Sequence, residues 1–242
     1  MAKKINNTAT KQIITPKLSE KINFKQRTFK FSEKQKEFLE LALSDKAKII
    51  FLAGPAGTSK TYMSVYAAIN LLAKDLNNKE IIYVRSIAES AEKGLGSLPG
   101  EADHKFEPFV TPLWEKIDEM VHEVDAVWLK KSELLSAKPI NYLRGASWAD
   151  KLIIADEAQN FSYKELVTLI TRIGENSKMF ICGDFMQSDI KSSGFKQMFD
   201  LFNDSESENN GIFCYEFDNN DIYRSGILKF IITKLQQGKE KC

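Results

Sequence analysis

The sequence predicts an α/β protein built as a three-layer, doubly wound parallel sheet with helices on both of its faces. Short apolar runs alternate with amphipathic helical segments along the chain, which is the pattern of a parallel sheet. The first run leads into a glycine-rich loop, and two later runs end in sequences that carry carboxylates. Because ligands of such sheets bind beyond the carboxyl ends of the strands, these three sequences are expected to meet at one site.

The N-terminal elements follow a segment of different composition. Residues 1–31 are rich in Lys, Asn and Thr and are interpreted as a flexible basic arm, and residues 32–242 as a single domain. Ser32 and Gln35 form a capping box that opens the first helix. The elements expected after that helix are a strand over 48–53, a helix over 63–73, a strand over 80–84, a long loop over 86–107 and a helix over 108–124.

The C-terminal part supplies three further strands. Residues 125–150 show no clear pattern. The elements expected after them are a strand over 152–155, a helix over 163–173, a strand over 179–182, a helix over 195–202, a loop over 203–210, a strand over 212–217 and a helix over 225–235. The predicted sheet therefore has five strands. A length of 242 residues with 43% hydrophobic content suits one α/β domain with extensions, or two small domains.

The net charge of +1 conceals a strong asymmetry between the arm and the body. Residues 1–30 hold eight basic residues and one acidic residue, which gives them a net charge of +7 and leaves −6 on the rest of the chain. An anionic partner for the arm is one interpretation, and a solvated tail is the other.

Composition disfavours several classes of protein. No apolar run approaches the length of a membrane span, and the polar N-terminus lacks the apolar core of a signal peptide. The three cysteines are odd in number and far apart, which favours a reducing cytoplasm over a disulfide framework. The two histidines lie in no metal-ligand spacing, so a zinc site or a Ser-His-Asp hydrolase has little support.

The glycine-rich loop has the composition of a phosphate-binding loop. Small residues let backbone N–H groups point at phosphate oxygens, and the start of the next helix adds a partial positive charge. Lys60 is expected to reach the β- and γ-phosphates, and the Thr61 hydroxyl to hold Mg²⁺. A plain glycine-rich turn is the alternative, which the strand–loop–helix context disfavours. The residues expected to contact the nucleotide here are Gly54, Pro55, Ala56, Gly57, Thr58, Ser59, Lys60, Thr61 and Tyr62.

Ser59 departs from the usual loop sequence, in which a glycine precedes the lysine. With a negative φ, the serine would fit the loop and donate a further hydrogen bond. With a positive φ, the loop would be strained and nucleotide binding weaker.

Two carboxylates, Asp156 and Glu157, follow the apolar strand over 152–155. Their burial is costly unless they meet a cation or a polar site. Asp156 is expected to hold Mg²⁺, directly or through water, and Glu157 to orient and activate the attacking water. A helix N-cap is the alternative role for the aspartate.

A third sequence, Gly183-Asp184 followed by Gln187, also ends a strand. Gln187 would contact the γ-phosphate or the catalytic water and so report the nucleotide state. Gly-Asp after a strand is often only a turn, so this sequence indicates a nucleotide site only in combination with the two others.

Together the three sequences resemble those of PhoH-family P-loop ATPases, which are similar to the RecA-like first motor domain of superfamily 1 helicases. The resemblance runs from about residue 31 to about residue 235. It implies ATP binding and hydrolysis. The residues that carry it are 54–61, the box Asp156-Glu157-Ala158-Gln159-Asn160, and Gly183, Asp184 and Gln187; the departures from the family pattern are Ser59, Ser86, Ala155 and Ser188.

The resemblance also suggests roles for two residues outside these sequences. Gln35 stands where related helicases place a glutamine that reads adenine, although its capping role is the alternative. Arg224 follows the fifth strand and would stabilise charge on the transferring phosphate, with a salt bridge to Asp221 as the alternative. The lysine at 116 is interpreted as a solvated charge.

The sequence thus favours a cytoplasmic, Mg²⁺-dependent ATPase that acts with single-stranded nucleic acid, preferably RNA. The alternative is a binding module that ATP switches with little hydrolysis and that docks on a protein partner. Because one phosphate site in 242 residues leaves no room for a second motor domain, a neighbouring subunit would supply the finger arginine. We therefore expect a homo-oligomeric ring, most simply a hexamer, with ATP or ADP at the subunit interfaces.

Overall fold

The computed structural model describes residues 31–75, 79–86, 102–140, 143, 147–222 and 226–239, with the backbone alone at 102–109, 228–229 and 236–239. In these parts of the chain, six strands form one sheet in which all neighbours run parallel, in the order β3-β2-β4-β5-β1-β6. The strands are β1 (Ile49–Ala53), β2 (Glu80–Arg85), β3 (Leu135–Pro139), β4 (Lys151–Asp156), β5 (Lys178–Gly183) and β6 (Ile212–Glu216).

Helices cover both faces of the sheet and complete three layers, as the sequence predicts. Alternate residues of a strand point to opposite faces, so Ile50 and Leu52 of β1 join one apolar cluster, and Ile49 and Phe51 join the other. The first cluster packs under α1–α4 and the second under α5 and α6. The helices are α1 (Glu33–Leu43), α2 (Lys60–Lys74), α3 (Ala102–Met120), α4 (Glu123–Lys131), α5 (Tyr163–Ile170), α6 (Phe195–Phe202), α7 (Ser205–Asn209) and α8 (Gly226–Lys239).

The structure corrects the prediction for two stretches of the chain. Residues 125–150, which show no clear sequence pattern, contain most of α4 and the sixth strand, β3. Leu135 is the one buried residue of β3, because this strand lies at the sheet edge, and an edge strand needs no apolar run. The loop expected over 203–210 contains the short helix α7, whose residues are all partly or fully exposed.

Several element ends also differ from the prediction. The helix expected to begin at residue 108 already begins at Ala102, within the expected loop, and it ends at Met120. More important for the site, α2 begins at Lys60 rather than at residue 63. The lysine and threonine of the phosphate-binding sequence therefore lie in the first turn of that helix.

A buried lysine links the C-terminal end of α1 to the sheet through hydrogen bonds. Lys178 at the start of β5 is 8% exposed, and its Nζ donates to the carbonyl oxygens of Ala42 and Ser44 at 2.7 and 2.5 Å. Burial lowers the pKa of this ammonium to about 8. Lys178 thus satisfies backbone carbonyls at the C-terminal end of α1, which otherwise lack helical partners.

None of the helices in the described parts of the chain combines the length and the apolar character that crossing a membrane requires.

Candidate nucleotide-binding site

The loop between β1 and α2 is a compact turn that needs its glycines. Gly54 has a φ of 155° and Gly57 a φ of 84°. A Cβ on Gly54 would lie 3.0 Å from the Cβ of Phe217, so only glycine lets the loop pass this close to the end of β6. Thr58 is fully buried, and its hydroxyl donates to the Pro55 carbonyl at 2.9 Å. The turn delivers the chain directly to the N-terminus of α2, where unpaired N–H groups favour an anion.

Lys60 is folded over this turn. Its Nζ donates to the carbonyl oxygens of Gly54 and Pro55 at 2.7 and 3.1 Å. The ammonium is therefore held by neutral acceptors above the loop. A phosphate oxygen at the same place would carry negative charge, so it would add an ion-pair attraction that the neutral carbonyls do not supply.

Ser59 has a φ of 65° and a ψ of 27°, which is the left-handed helical region. The structure thus selects the strained alternative for this position, and the serine side chain makes no capping hydrogen bond. A residue with a Cβ is destabilised by about 1–2 kcal/mol in this conformation, a cost that glycine avoids.

Replacing Ser59 with Gly is therefore expected to raise the free energy of unfolding by about 1 kcal/mol, since this strain belongs to the folded chain and is removed. Nucleotide affinity should change little, because affinity responds only to strain that differs between the free and the bound loop. The matched control is Ser59→Ala, which keeps the Cβ and its strain but removes the hydroxyl, and which should unfold like the wild type. Urea unfolding measures the stability of both variants. If Ser59→Gly is no more stable than the wild type, strain does not govern this position.

Asp156 ends β4 and is held by two hydroxyl groups. Thr61 Oγ1 donates to its Oδ1 at 2.8 Å, and the hydroxyl of Tyr83 donates to its Oδ2 at 2.6 Å. Burial, followed by the charge of Asp156, raises the pKa of Tyr83 well above its ordinary value, so the phenol stays a donor. A carboxylate and a hydroxyl are hard oxygen ligands of the kind that Mg²⁺ takes together with substrate phosphates. The donors of Thr61 and Asp156 therefore fit a magnesium ion.

Glu157 follows immediately and turns into the cleft. Its φ of 53° places it, like Ser59, in the left-handed region. Burial, followed by the charge of Asp156, raises the pKa of its carboxyl. Gln159 Nε2 donates to the Glu157 carboxylate, and Gln159 Oε1 accepts a hydrogen bond from the Asp184 N–H at 3.0 Å. One buried amide thus links the carboxylate after β4 to the loop after β5.

The loop after β5 carries the third predicted sequence. Asp184 is 4% exposed and accepts a hydrogen bond from the Met186 N–H at 2.8 Å, so the aspartate stabilises its own turn. Asn160 exchanges two hydrogen bonds of 2.8 Å with Asp189, one with its side chain and one with its N–H. Gln187 is exposed and reaches the cleft. The loop is therefore fastened at both ends to the segment that follows Glu157.

These side chains surround a cleft of about 450 Å³. It brings together most of the residues that the sequence assigns to a site and adds four that it does not: Phe31, Met63, Lys116 and Glu119. Lys116, interpreted from the sequence as a solvated charge, lines the cleft from α3, and its Nζ lies 3.1 Å from Oε1 of Glu119. The full lining is Phe31, Gln35, Ala56, Gly57, Ser59, Lys60, Thr61, Tyr62, Met63, Lys116, Glu119, Glu157, Asp184 and Gln187.

Gln35 forms the capping box that the sequence predicts and also braces the loop. Its Oε1 accepts from the Ser32 N–H, and its Nε2 donates to the carbonyl oxygens of Thr58 and Asp221 at 3.2 and 3.3 Å. Both amide hydrogens are thus engaged within the protein. Its contact with adenine stays a prediction, and Arg224 lies outside the described residues.

Comparison with known proteins identifies the relatives of this chain. The family model described as PhoH-like protein matches residues 29–236. A PhoH-like protein of Bacillus subtilis (strain 168) is 32% identical over 198 residues, which are 82% of this chain and 60% of the relative. Protein PhoH of Escherichia coli (strain K12) is 32% identical over 184 residues, 72% of this chain and 50% of the relative. The chain thus spans between half and about three fifths of these relatives.

Two solved structures are similar in part. The large terminase of a thermophilic bacteriophage has a TM-score of 0.47 at 14% identity, over 83% of this chain and 49% of the terminase. Pif1 of a Bacteroides species, solved in complex with ADP-AlF4, has a TM-score of 0.38 at 16% identity, over 83% of this chain and 44% of Pif1.

Proposed function

The chain belongs to the PhoH-like family, and from this premise we propose that it is a Mg²⁺-dependent ATPase. One observation carries the proposal. The ends of β1 and β4 bring the loop over 54–59, Thr61 and Glu157 to a single cleft, with Asp156 hydrogen-bonded to Thr61. A phosphate cradle, a metal-binding oxygen pair and a base in one place are the parts that phosphoryl transfer to water needs.

Each of these parts has a proposed role. The loop N–H groups and Lys60 bind the phosphates, and Thr61 and Asp156 hold Mg²⁺, which offsets phosphate charge when it is bound. Glu157 accepts a proton from the attacking water, and its raised pKa makes it a stronger base. Gln187 contacts the γ-phosphate and so reports the nucleotide state. Gln159 links Glu157 to the loop that carries Gln187, because it bonds to both the Glu157 carboxylate and the Asp184 N–H.

We propose that hydrolysis is coupled to binding or remodelling of single-stranded nucleic acid, with RNA as the first choice. The net charge of +7 on residues 1–30 supports this, since cations that neutralise phosphates supply most of the affinity for a single strand. The alternative, a nucleotide-switched module with little hydrolysis, is favoured by the strained Ser59. Phosphate release from MgATP, measured with and without single-stranded RNA, separates the two.

The arm is tested by replacing its eight basic residues with glutamine in the full-length chain. RNA binding is expected to weaken and to lose salt dependence, because each phosphate contact contributes about −0.7 to the slope of log K against log salt. Basal phosphate release should be unchanged, since the cleft keeps all its groups. A single-stranded RNA of defined length, titrated at several salt concentrations, provides the measurement. An unchanged slope would move the RNA contact from the arm to the body.

The further proposals concern assembly and location. A ring of identical subunits, most simply a hexamer, would place Arg224 of one subunit near the phosphates bound by the next. Light scattering with and without MgATP tests this, and a monomer under both conditions refutes it. A cytoplasmic location is supported by the free thiols of Cys182 and Cys214.

A further inference from the structure

We propose that Tyr83 is a positioning residue that orients Asp156 for the metal ion of the bound nucleotide, an inference that rests on the proposed function. Tyr83 belongs to none of the three sequence motifs, and it lies 73 residues before Asp156. Its hydroxyl donates to Asp156 Oδ2 at 2.6 Å, which is a short, charge-assisted hydrogen bond.

The strand register explains why this side chain reaches the site. β2 and β4 are neighbours, and Tyr83 is the direct partner of Ile154. Because side chains of a strand alternate between faces, Ile154 and Asp156 point to the same face of the sheet. The long tyrosine side chain, packed beside Ile154, therefore extends along this face to the carboxylate two residues further on. A side chain without a terminal hydroxyl would fill the same space and donate nothing.

The surroundings hold the tyrosine ring in place. Tyr83 is fully buried in the apolar cluster that also contains Ile154 of the neighbouring strand β4 and Leu52 of β1. A ring packed in this way has few alternative rotamers, so its hydroxyl points to one place. The direction of the hydrogen bond to Asp156 is thus determined by the core rather than by solvent.

The two carboxylate oxygens of Asp156 each receive one hydroxyl donor. Thr61 holds Oδ1 from the phosphate-loop side, and Tyr83 holds Oδ2 from the neighbouring strand. Two donors on different oxygens determine both the position and the tilt of the carboxylate plane. Asp156 is only 4% exposed, so water has little access to replace a lost donor. Groups that orient a metal ligand in this way typically change metal affinity when they are removed.

A purely structural role is the competing explanation. A buried tyrosine hydroxyl usually finds a hydrogen-bond partner, and Asp156 would then serve only as that partner. The two explanations differ in one measurable respect. Positioning predicts a loss of metal affinity in the nucleotide complex, whereas a structural role predicts a loss of thermal stability alone.

The test is Tyr83→Phe, which keeps the buried ring and removes the donor. Binding of Mn²⁺ to the full-length chain in the presence of ADP is measured from the electron paramagnetic resonance signal of free Mn²⁺. In Tyr83→Phe, the affinity for Mn²⁺ should fall about 10- to 100-fold. ADP binding in EDTA should match the wild type, because the loop and Lys60 are unchanged. The matched control is Tyr215→Phe, whose hydroxyl lies 2.9 Å from the Lys34 carbonyl and from Glu37 Oε2, and which should keep wild-type Mn²⁺ affinity.

The outcomes separate the inference from the proposed function. If the wild type binds Mn²⁺ with ADP and Tyr83→Phe binds it equally well, the inference fails and the proposed function stands. A lower thermal midpoint with wild-type Mn²⁺ affinity also overturns it, in favour of a structural role. A wild-type protein that binds no Mn²⁺ with ADP overturns the metal role of Asp156 and the inference together.

Discussion

Replacing Glu157 with Gln is expected to stop ATP turnover while leaving ATP bound. The carboxylate is the one basic group that we assign to the attacking water, and loss of a positioned general base typically costs about 10²–10⁴-fold in rate. Binding should survive because Lys60, Thr61 and the loop N–H groups are unchanged. Phosphate release under single-turnover conditions, alongside equilibrium titration with ATP, measures the two quantities separately.

This substitution should also leave the surrounding hydrogen bonds in place. Glutamine has nearly the same shape as glutamate, and its side-chain oxygen still accepts the hydrogen bond that Gln159 donates. The link from Gln159 to the Asp184 N–H therefore persists. The control is Glu40→Gln, an exposed carboxylate on α1 outside the cleft, which should hydrolyse ATP at the wild-type rate. Wild-type turnover in Glu157→Gln would remove this residue from the reaction.

The sequence predicts five of the six strands and misses β3 at one edge of the sheet. β1, β4 and β5 lie in the middle and are buried on both faces, so each is encoded as a continuous apolar run. β3 lies at the edge and buries only Leu135, so its five residues carry no such signal. The helix α7 is held by a local cap, in which Asp204 accepts a hydrogen bond from the Ser207 N–H, and buries nothing. Hydrophobic patterning reports burial, and these elements have little of it.

The same distinction applies to the cleft. Residues that are close in sequence, such as Lys60 and Thr61 or Asp156 and Glu157, can be recognised from short motifs because chain geometry brings them together. Tyr83 reaches Asp156 only through the register of two strands, which no local pattern encodes. Lys116 reaches the cleft from α3, and Phe31, which precedes α1, reaches it while its ring packs against Tyr66 of α2. One signal could have suggested Tyr83. It is a tyrosine in an apolar strand that lies beside the strand ending in the acidic pair.

Backbone strain is concentrated at this cleft. Four described residues other than glycine have a positive φ: Ser59, Asp150, Glu157 and Asn176. Asp and Asn adopt this conformation readily, because their short side chains bond to the local backbone. Ser and Glu have no such preference, yet Ser59 and Glu157 both adopt it, and both line the cleft. Unfavourable conformations persist where surrounding contacts impose them, and they cluster at functional sites. The positions of these two residues therefore support the proposal that this cleft is the functional site.

Replacing Lys60 with Ala is expected to weaken ATP and ADP binding by about 10- to 150-fold. This range corresponds to about 1.5–3 kcal/mol for one hydrogen bond between charged groups. The ammonium contacts two loop carbonyls at 2.7 and 3.1 Å, and phosphate oxygens would take their place. Titration with a fluorescent ADP analogue gives the dissociation constant. The control is Lys196→Ala, which removes an exposed lysine paired with Asp200 at 2.8 Å and should bind nucleotide normally.

The contact of Lys60 with the loop makes a second variant informative. If the ammonium also stabilises the empty loop, Lys60→Ala should lower the thermal midpoint without nucleotide, and Lys60→Arg should restore it. A guanidinium keeps the charge but is a rigid, planar fork, so Lys60→Arg should recover loop stability better than nucleotide affinity. Equal recovery of both would mean that positive charge alone suffices. Undiminished nucleotide binding in Lys60→Ala would instead exclude Lys60 from phosphate binding, because no other lysine lining the described cleft lies at the N-terminus of α2 to replace it.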